Sequence, residues 1–176
     1  MHNSDDVVYL LSFRKPNQNK PKSYPCKDYD ESVSALAEHG GTVNMSTYHH
    51  YNLGNTDTAA QFTDPHILDR SRAAVEAGVA ANAAAARGAP VWLGEGATAS
   101  GGGVTGASGT YSATFIWLDK LGAVGRFGGS GLMRQSLFGG RYALLDPTTF
   151  APRPTYWVAV LFKQLVCVRY TVVWLL

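Results

Sequence analysis

The sequence predicts an α/β fold built on a parallel sheet, and three observations carry the prediction. From about residue 42 onward, β-branched and aromatic runs alternate with helical stretches in the order strand–helix–strand–helix–strand–helix. Helix boundary signals fall between the runs, with Asp64-Pro65 opening one helix and Gly88 and Pro90 closing it. The 176 residues are 45% hydrophobic and only 16% charged, with 19 glycines and 8 prolines to make turns. A typical globular protein is about 25% charged, so this composition excludes a disordered tail, a coiled coil and a highly charged nucleic-acid arm.

The elements follow in order. Residues 7–13 read as a buried strand, and residues 14–22, with two prolines and no periodicity, as a basic loop. A short helix is expected over 30–39, closed by Gly40-Gly41. Residues 42–49 have the composition of a strand. Asp64 as N-cap and Pro65 at the first helical position then start an Ala-rich helix that runs to about Arg87. Residues 91–94 form a short buried strand, and 111–121 a helix after a glycine-rich loop. Residues 131–138 read as a third strand and 155–166 as a closing helix. Right-handed crossovers place three strands side by side with helices over one face. A complete (β/α)8 barrel takes about 250 residues. The expected architecture is therefore part of such a barrel, about three units with an open edge at the first strand.

The ends and the charges exclude further classes. Met1 to Asp6 is acidic and the apolar run Val7 to Leu11 is short, so no signal peptide is read there. Residues 165–176 are interrupted by Arg169 and too short for a membrane span, which needs about 20 apolar residues. They are expected to form an exposed apolar tail. Cys26 and Cys167 lack a CxxC partner and read as unlinked thiols. Net charge is +2, but from Lys120 onward Lys120, Arg126, Arg134, Arg141, Arg153, Lys163 and Arg169 face one acidic residue, Asp146. That excess suits an anionic partner or a scattered solvated surface. No nucleic-acid motif accompanies it, so nucleic acid is not expected as a partner.

In a parallel α/β fold the strand C-termini and the loops after them hold the chemistry. Glu95 follows Trp92-Leu93-Gly94 at the tip of a buried strand, where a carboxylate serves as nucleophile or base, or caps and salt-bridges. His49-His50-Tyr51 follows the first strand, and Gln135 lies in the third. His49 and His50 point to opposite faces of a strand and cannot share one metal, and no other ligand spacing is present. No metal or cofactor is expected. Gly101-Gly102-Gly103 lets the backbone approach a ligand, but no Gly-Lys-Ser/Thr or GxGxxG makes it a phosphate loop. Tyr142, beyond Gly139-Gly140, either offers its hydroxyl to the same cleft or is a buried structural tyrosine.

Six blocks in order then resemble the heparanase family of glycoside hydrolases, retaining endo-β-glucuronidases, over roughly residues 34–166. They are Tyr48-His49-His50-Tyr51-Asn52-Leu53, Val91-Trp92-Leu93-Gly94-Glu95, Gly101-Gly102-Gly103 and Phe115-Ile116-Trp117-Leu118-Asp119-Lys120-Leu121-Gly122. Met133-Arg134-Gln135 with Phe138-Gly139-Gly140-Arg141-Tyr142, and Tyr156-Trp157 with Leu161 to Val166, complete the set. The resemblance implies the sixth to eighth strands of the catalytic barrel. It implies Glu95 as the nucleophile on the seventh strand, and His49 and Tyr51 lining the sugar site from the sixth. Gly101 and Gly102 are implied as backbone contacts to a uronic-acid carboxylate, and Gln135 and Tyr142 as contacts from the eighth strand and its loop. The implied substrate is an acidic polysaccharide containing glucuronic acid, and the family is extracellular, lysosomal or membrane-associated.

The departures are specific. The family's acid/base carboxylate sits in an Asn-Glu-Pro motif, and that triplet occurs nowhere in this sequence. Ser100 stands where some members carry an aromatic residue. Residues 1–33 lie outside the matching blocks, and residues 167–176 diverge where the family continues into a β-sandwich. The expectation is a weak or inactive fragment of a retaining glycosidase. The alternative is a non-catalytic glycan-binding or interaction protein derived from the same barrel.

Overall fold

In the computed structural model the described residues are 10–13, 45–85, 89–166 and 172–175, with side chains described over 45–83 and 89–166. The loop read at 14–22, the helix read at 30–39, and Cys26 and Cys167 lie outside the described residues. Five parallel strands form one sheet whose spatial order equals the chain order: β1 (Leu10–Phe13), β2 (Met45–Leu53), β3 (Val91–Ala99), β4 (Gly131–Arg134) and β5 (Val172–Leu175). Among the described residues three α-helices alternate with them: α1 (Pro65–Ala85), α2 (Ala113–Arg126) and α3 (Pro154–Leu165). The parallel α/β prediction therefore holds. Beside the three strands of the alternating pattern, the sheet takes in the strand read at residues 7–13, over Leu10–Phe13, and one at Val172–Leu175 that was not expected.

The places of the two outer strands correct an expectation. Leu10 to Phe13 pairs in register with Met45 to Tyr48, so the edge expected to be open on β2 is covered by β1. Residues 172–175, read as part of an exposed tail, pair with Gly131 to Arg134 instead. The reason is common to both: an unpaired strand edge leaves a row of N–H and C=O groups unsatisfied. Val172-Val173-Trp174-Leu175 also has the β-branched and aromatic content that fits a pleated surface.

Local signals place the helices well. The Asp64 carboxylate accepts the His66 N–H at 2.9 Å, and Pro65 is the first residue of α1. A 3-10 turn, Ala59–Thr63, precedes it and buries Phe62. α2 runs five residues past Leu121 because Ala123 and Val124 continue its buried stripe. α3 starts at Pro154, as proline at a first helical turn allows.

One face of the sheet holds the main core. Val75 of α1, Trp117, Leu121 and Val124 of α2, and Phe162 of α3 pack on Leu93 and Leu132 in one buried cluster, with Tyr48 against it. The three helices therefore cover the same face. Gly78 permits α1 to lie close to β2, since a Cβ there would stand 2.8 Å from the Tyr48 ring. A second cluster, including Leu53, Phe62, Ile67, Ala99, Val104 and Ile116, seals the far ends of β2 and β3.

Buried polar groups tie the layers together. Asn52 donates to the Ile67 carbonyl and the Ser71 hydroxyl, both at 2.9 Å, fixing α1 to β2. Lys120, fully buried, donates to the His50 carbonyl at 2.9 Å and the Ala97 carbonyl at 3.2 Å, and lies 3.1 Å from His50 Nδ1. Its ammonium has three donors, and these three acceptors can take them all. Arg134 is also fully buried. Two of the seven cations counted in the basic stretch are thus interior, which weakens that stretch as a surface for an anionic partner.

Candidate functional site

The site begins with the two-residue period of β2. His49 and Tyr51 share one face, and His50 between them points to the opposite face, where it meets Lys120. β3 lies alongside with Glu95 in register with His49, after an irregularity in the pairing between Tyr48 and His49. The carboxylate therefore stands on the same face as His49 and Tyr51. The Tyr51 hydroxyl donates to Glu95 Oε1 in a short hydrogen bond. His49 Nδ1 lies 3.6 Å from Glu95 Oε2, within ion-pair range when the imidazole is protonated. Glu95 remains 33% exposed, enough for an incoming group to reach it.

Two predicted positions need correction. Glu95 is not at a strand tip: β3 continues through Gly96 to Ala99. The end of pairing differs on its two sides, because β4 stops opposite Gly96 while β2 stays in register as far as Ala99. Glu95 therefore sits at the rim left by the shorter strand. Gln135 lies just beyond β4, which ends at Arg134 instead of Phe138. The chain turns there because the Ser136 hydroxyl donates to the carbonyls of Phe138 and Gly139, and Gly139 and Gly140 take positive φ. Gln135 N–H donates to the Gly96 carbonyl at 3.0 Å, which sets the residue next to Glu95.

The loops complete the cluster. Ser100 N–H donates to the Leu53 carbonyl at 2.8 Å, bringing the glycine run to the end of β2. Gly101, Gly102 and Gly103 all have positive φ (65°, 89° and 92°), which side-chain-bearing residues rarely adopt. A Cβ on Gly103 would stand 2.9 Å from Ser108 and 3.1 Å from the Tyr142 nitrogen. The glycine run therefore packs on the loop that carries Tyr142. The Tyr142 ring lies 6.3 Å from that of Tyr51, tilted by 33°.

The structure thus brings Glu95, His49, Tyr51 and Tyr142 together and sets Gln135, Gly101 and Gly102 at their margin. In the sequence Lys120, Arg134 and Arg141 stand as charges and as members of the matching blocks, with no role of their own. Lys120 holds β2 and β3 at the level of Glu95, since His50 is in register with Gly96. Arg134 Nη2 donates to the Tyr142 carbonyl at 2.6 Å. Among the described residues no group of three or more His, Cys, Asp or Glu could hold a metal ion. No helix among them is long and apolar enough to cross a membrane.

Burial, then the hydrogen bond to Glu95 and its charge, push the Tyr51 hydroxyl far above its ordinary value of 10.0. Burial does the same to Tyr48. Both stay protonated in the folded protein, so their contribution to stability is complete below pH 10 and declines as pH rises above it. Urea unfolding midpoints should therefore fall from about pH 10 upward. Tyr51→Phe should give a shallower fall, and an unchanged slope would count against this burial of the hydroxyl.

Residues 3–122 match the profile of glycosyl hydrolase family 79, N-terminal domain. Heparanase of Gallus gallus is 41% identical over 148 residues, which are 82% of this chain and 28% of that protein. Inactive heparanase-2 of Mus musculus is 30% identical over 161 residues, 91% of this chain and 27% of that one. This chain spans less than a third of either relative's length. A monomeric β-xylosidase of Caulobacter crescentus aligns with a TM-score of 0.43 and 18% identity over 74% of this chain and 29% of its own.

Proposed function

Since the chain belongs to glycosyl hydrolase family 79, we propose that it carries the nucleophile half of a retaining β-glucuronidase site, with Glu95 as nucleophile. On this reading β2, β3 and β4 are the sixth, seventh and eighth strands of a (β/α)8 barrel. β1 then extends the sheet on the sixth-strand side, and β5 takes the edge that a closed barrel gives to its first strand. The observation that carries the proposal is the setting of Glu95, with Tyr51 bonded to one oxygen and His49 facing the other.

The Tyr51 hydroxyl orients the carboxylate, and the exposed side of the group faces the incoming sugar. One carboxylate oxygen attacks the anomeric carbon while the glycosidic C–O bond breaks and its electron pair leaves with the oxygen. Water later opens the glycosyl ester with retention of configuration. His49, Tyr142 and Gln135 line the sugar, and the amides of Gly101 and Gly102 meet its acidic group. The substrate class is an acidic polysaccharide containing glucuronic acid.

The leaving oxygen normally takes a proton from a second carboxylate about 5–5.5 Å from the first. The sequence has no Asn-Glu-Pro to supply it. General acid help is typically worth about 10²–10⁴-fold, so turnover of natural polysaccharide by this chain alone should lie near background. The test uses a leaving group that needs no proton. With 2-deoxy-2-fluoro-β-glucuronyl fluoride, Glu95 forms the ester bond while fluoride departs with the C–F electron pair, and the ring fluorine slows hydrolysis of the adduct. Intact-mass measurement should show one added sugar, on the peptide that contains Glu95. No adduct, with glycan binding retained, would replace the catalytic reading with that of a carbohydrate-binding protein.

A further inference from the structure

We infer that Arg141 recognises the acidic group of the bound sugar, a carboxylate, at the glycine loop; the inference rests on the glycosidase reading of the Glu95 site. The main chain of Arg141 is pinned on both sides. Its N–H donates to the Gly102 carbonyl at 2.6 Å, and its carbonyl accepts from Arg153 Nη1 at 2.7 Å. The exposed side chain then runs over the same loop, with Nη1 3.4 Å from the Gly103 carbonyl and 3.9 Å from where a Cβ on Gly102 would stand. The next residue, Tyr142, belongs to the Tyr51–Glu95 cluster. One turn of chain therefore presents a guanidinium to the cleft margin and an aromatic ring to its centre.

Two independent observations point to an anion from outside. Asp146, the acidic residue nearest to Arg141 in sequence, is engaged by Arg153 Nη2 at 3.3 Å, and no described carboxylate lies within ion-pair distance of Arg141. The amides of Gly101 and Gly102 likewise donate to no acceptor among the described residues. A guanidinium fork beside two unengaged amides in left-handed glycine geometry is a natural receptor for a planar carboxylate. A neutral sugar can offer these donors hydroxyl oxygens but no charge to pair with the guanidinium.

A sulfate ester offers similar anionic oxygens, so three reagents separate the sources: the 2-deoxy-2-fluoro-β-fluorides of glucuronic acid, of glucose and of glucose 6-sulfate. Rates of Glu95 labelling are read by mass spectrometry in the natural chain, Arg141→Ala and Arg141→Lys. The glucuronyl-to-glucosyl rate ratio should fall at least about tenfold in Arg141→Ala, as loss of a charge-assisted hydrogen bond implies, and by less than about threefold in Arg141→Lys. A general loss of fold slows all reagents together and leaves the ratio unmoved. Labelling with an unchanged ratio overturns the assignment of Arg141 alone, as does a ratio that collapses only for the sulfated sugar. Failure of all three reagents to label the natural chain overturns the Glu95 reading and this assignment with it.

Discussion

Glu95→Gln should abolish covalent capture of the fluoroglucuronyl fluoride, slowing adduct formation by at least about 10⁴-fold, the scale on which covalent enzymes lose rate without their nucleophile. The amide is nearly the same size and shape as the carboxylate but is a far weaker nucleophile, so the chemistry goes and the packing stays. Tyr51 still finds an oxygen to donate to, and Glu95 is partly exposed. The urea midpoint should therefore shift by no more than one neutral hydrogen bond is worth, about 1 kcal/mol. Tyr51→Phe separates positioning from reaction. It removes the hydroxyl that orients Oε1, so labelling slows but still falls on Glu95. If Glu95→Gln is labelled as fast as the natural chain on another carboxylate, Glu95 is not the nucleophile.

What the sequence made legible was local, and what it hid was long-range. Asp64-Pro65 announces α1 because capping needs only neighbours in the chain. The opposition of His49 and His50 follows from the strand period alone, and the structure sends one to Glu95 and the other to Lys120. Strand ends are different. A strand inside a parallel sheet stops where its partners stop, so the position of Glu95 within β3 depends on β4 ending at Arg134, which no window around Glu95 records. β5 needed the same remote information, since only pairing with β4 distinguishes it from an apolar tail. Lys120 was legible in principle. It falls on the stripe of Ile116, Trp117, Leu121 and Val124 at helical spacing, which marks a charged residue on a buried face. A tally of charges along the stretch does not carry that signal. Arg134 gave no comparable sign, because a four-residue strand is too short to fix which face is covered.

The buried arginine sets the largest expected change in stability. Trp117 is fully buried, and the Arg134 guanidinium lies 4.4 Å from the centre of its ring. Only Nη2 of that guanidinium has a hydrogen-bond partner, the Tyr142 carbonyl; Nε and Nη1 have none among the described residues. Burial accordingly pushes the group down to about 9. The face of the indole is thus the main compensation for a cation held away from water. Trp117→Ala removes that compensation together with the burial of a large aromatic side chain, which by itself costs about 3–5 kcal/mol. Domain stabilities are only about 5–15 kcal/mol, so urea denaturation followed by circular dichroism should show the variant partly unfolded without denaturant or close to it. Arg134→Met should cost much less, because replacing an under-bonded buried ion with an apolar chain of similar length is often near neutral. The double variant should then lose at least about 1 kcal/mol less than the sum of the two single losses. Strict additivity would mean that the indole does not support the cation, and Arg134 would have to be held by its bond to Tyr142 alone. That outcome would tie Arg134 to the loop carrying Tyr142 and Arg141, and not to the core beneath the sheet.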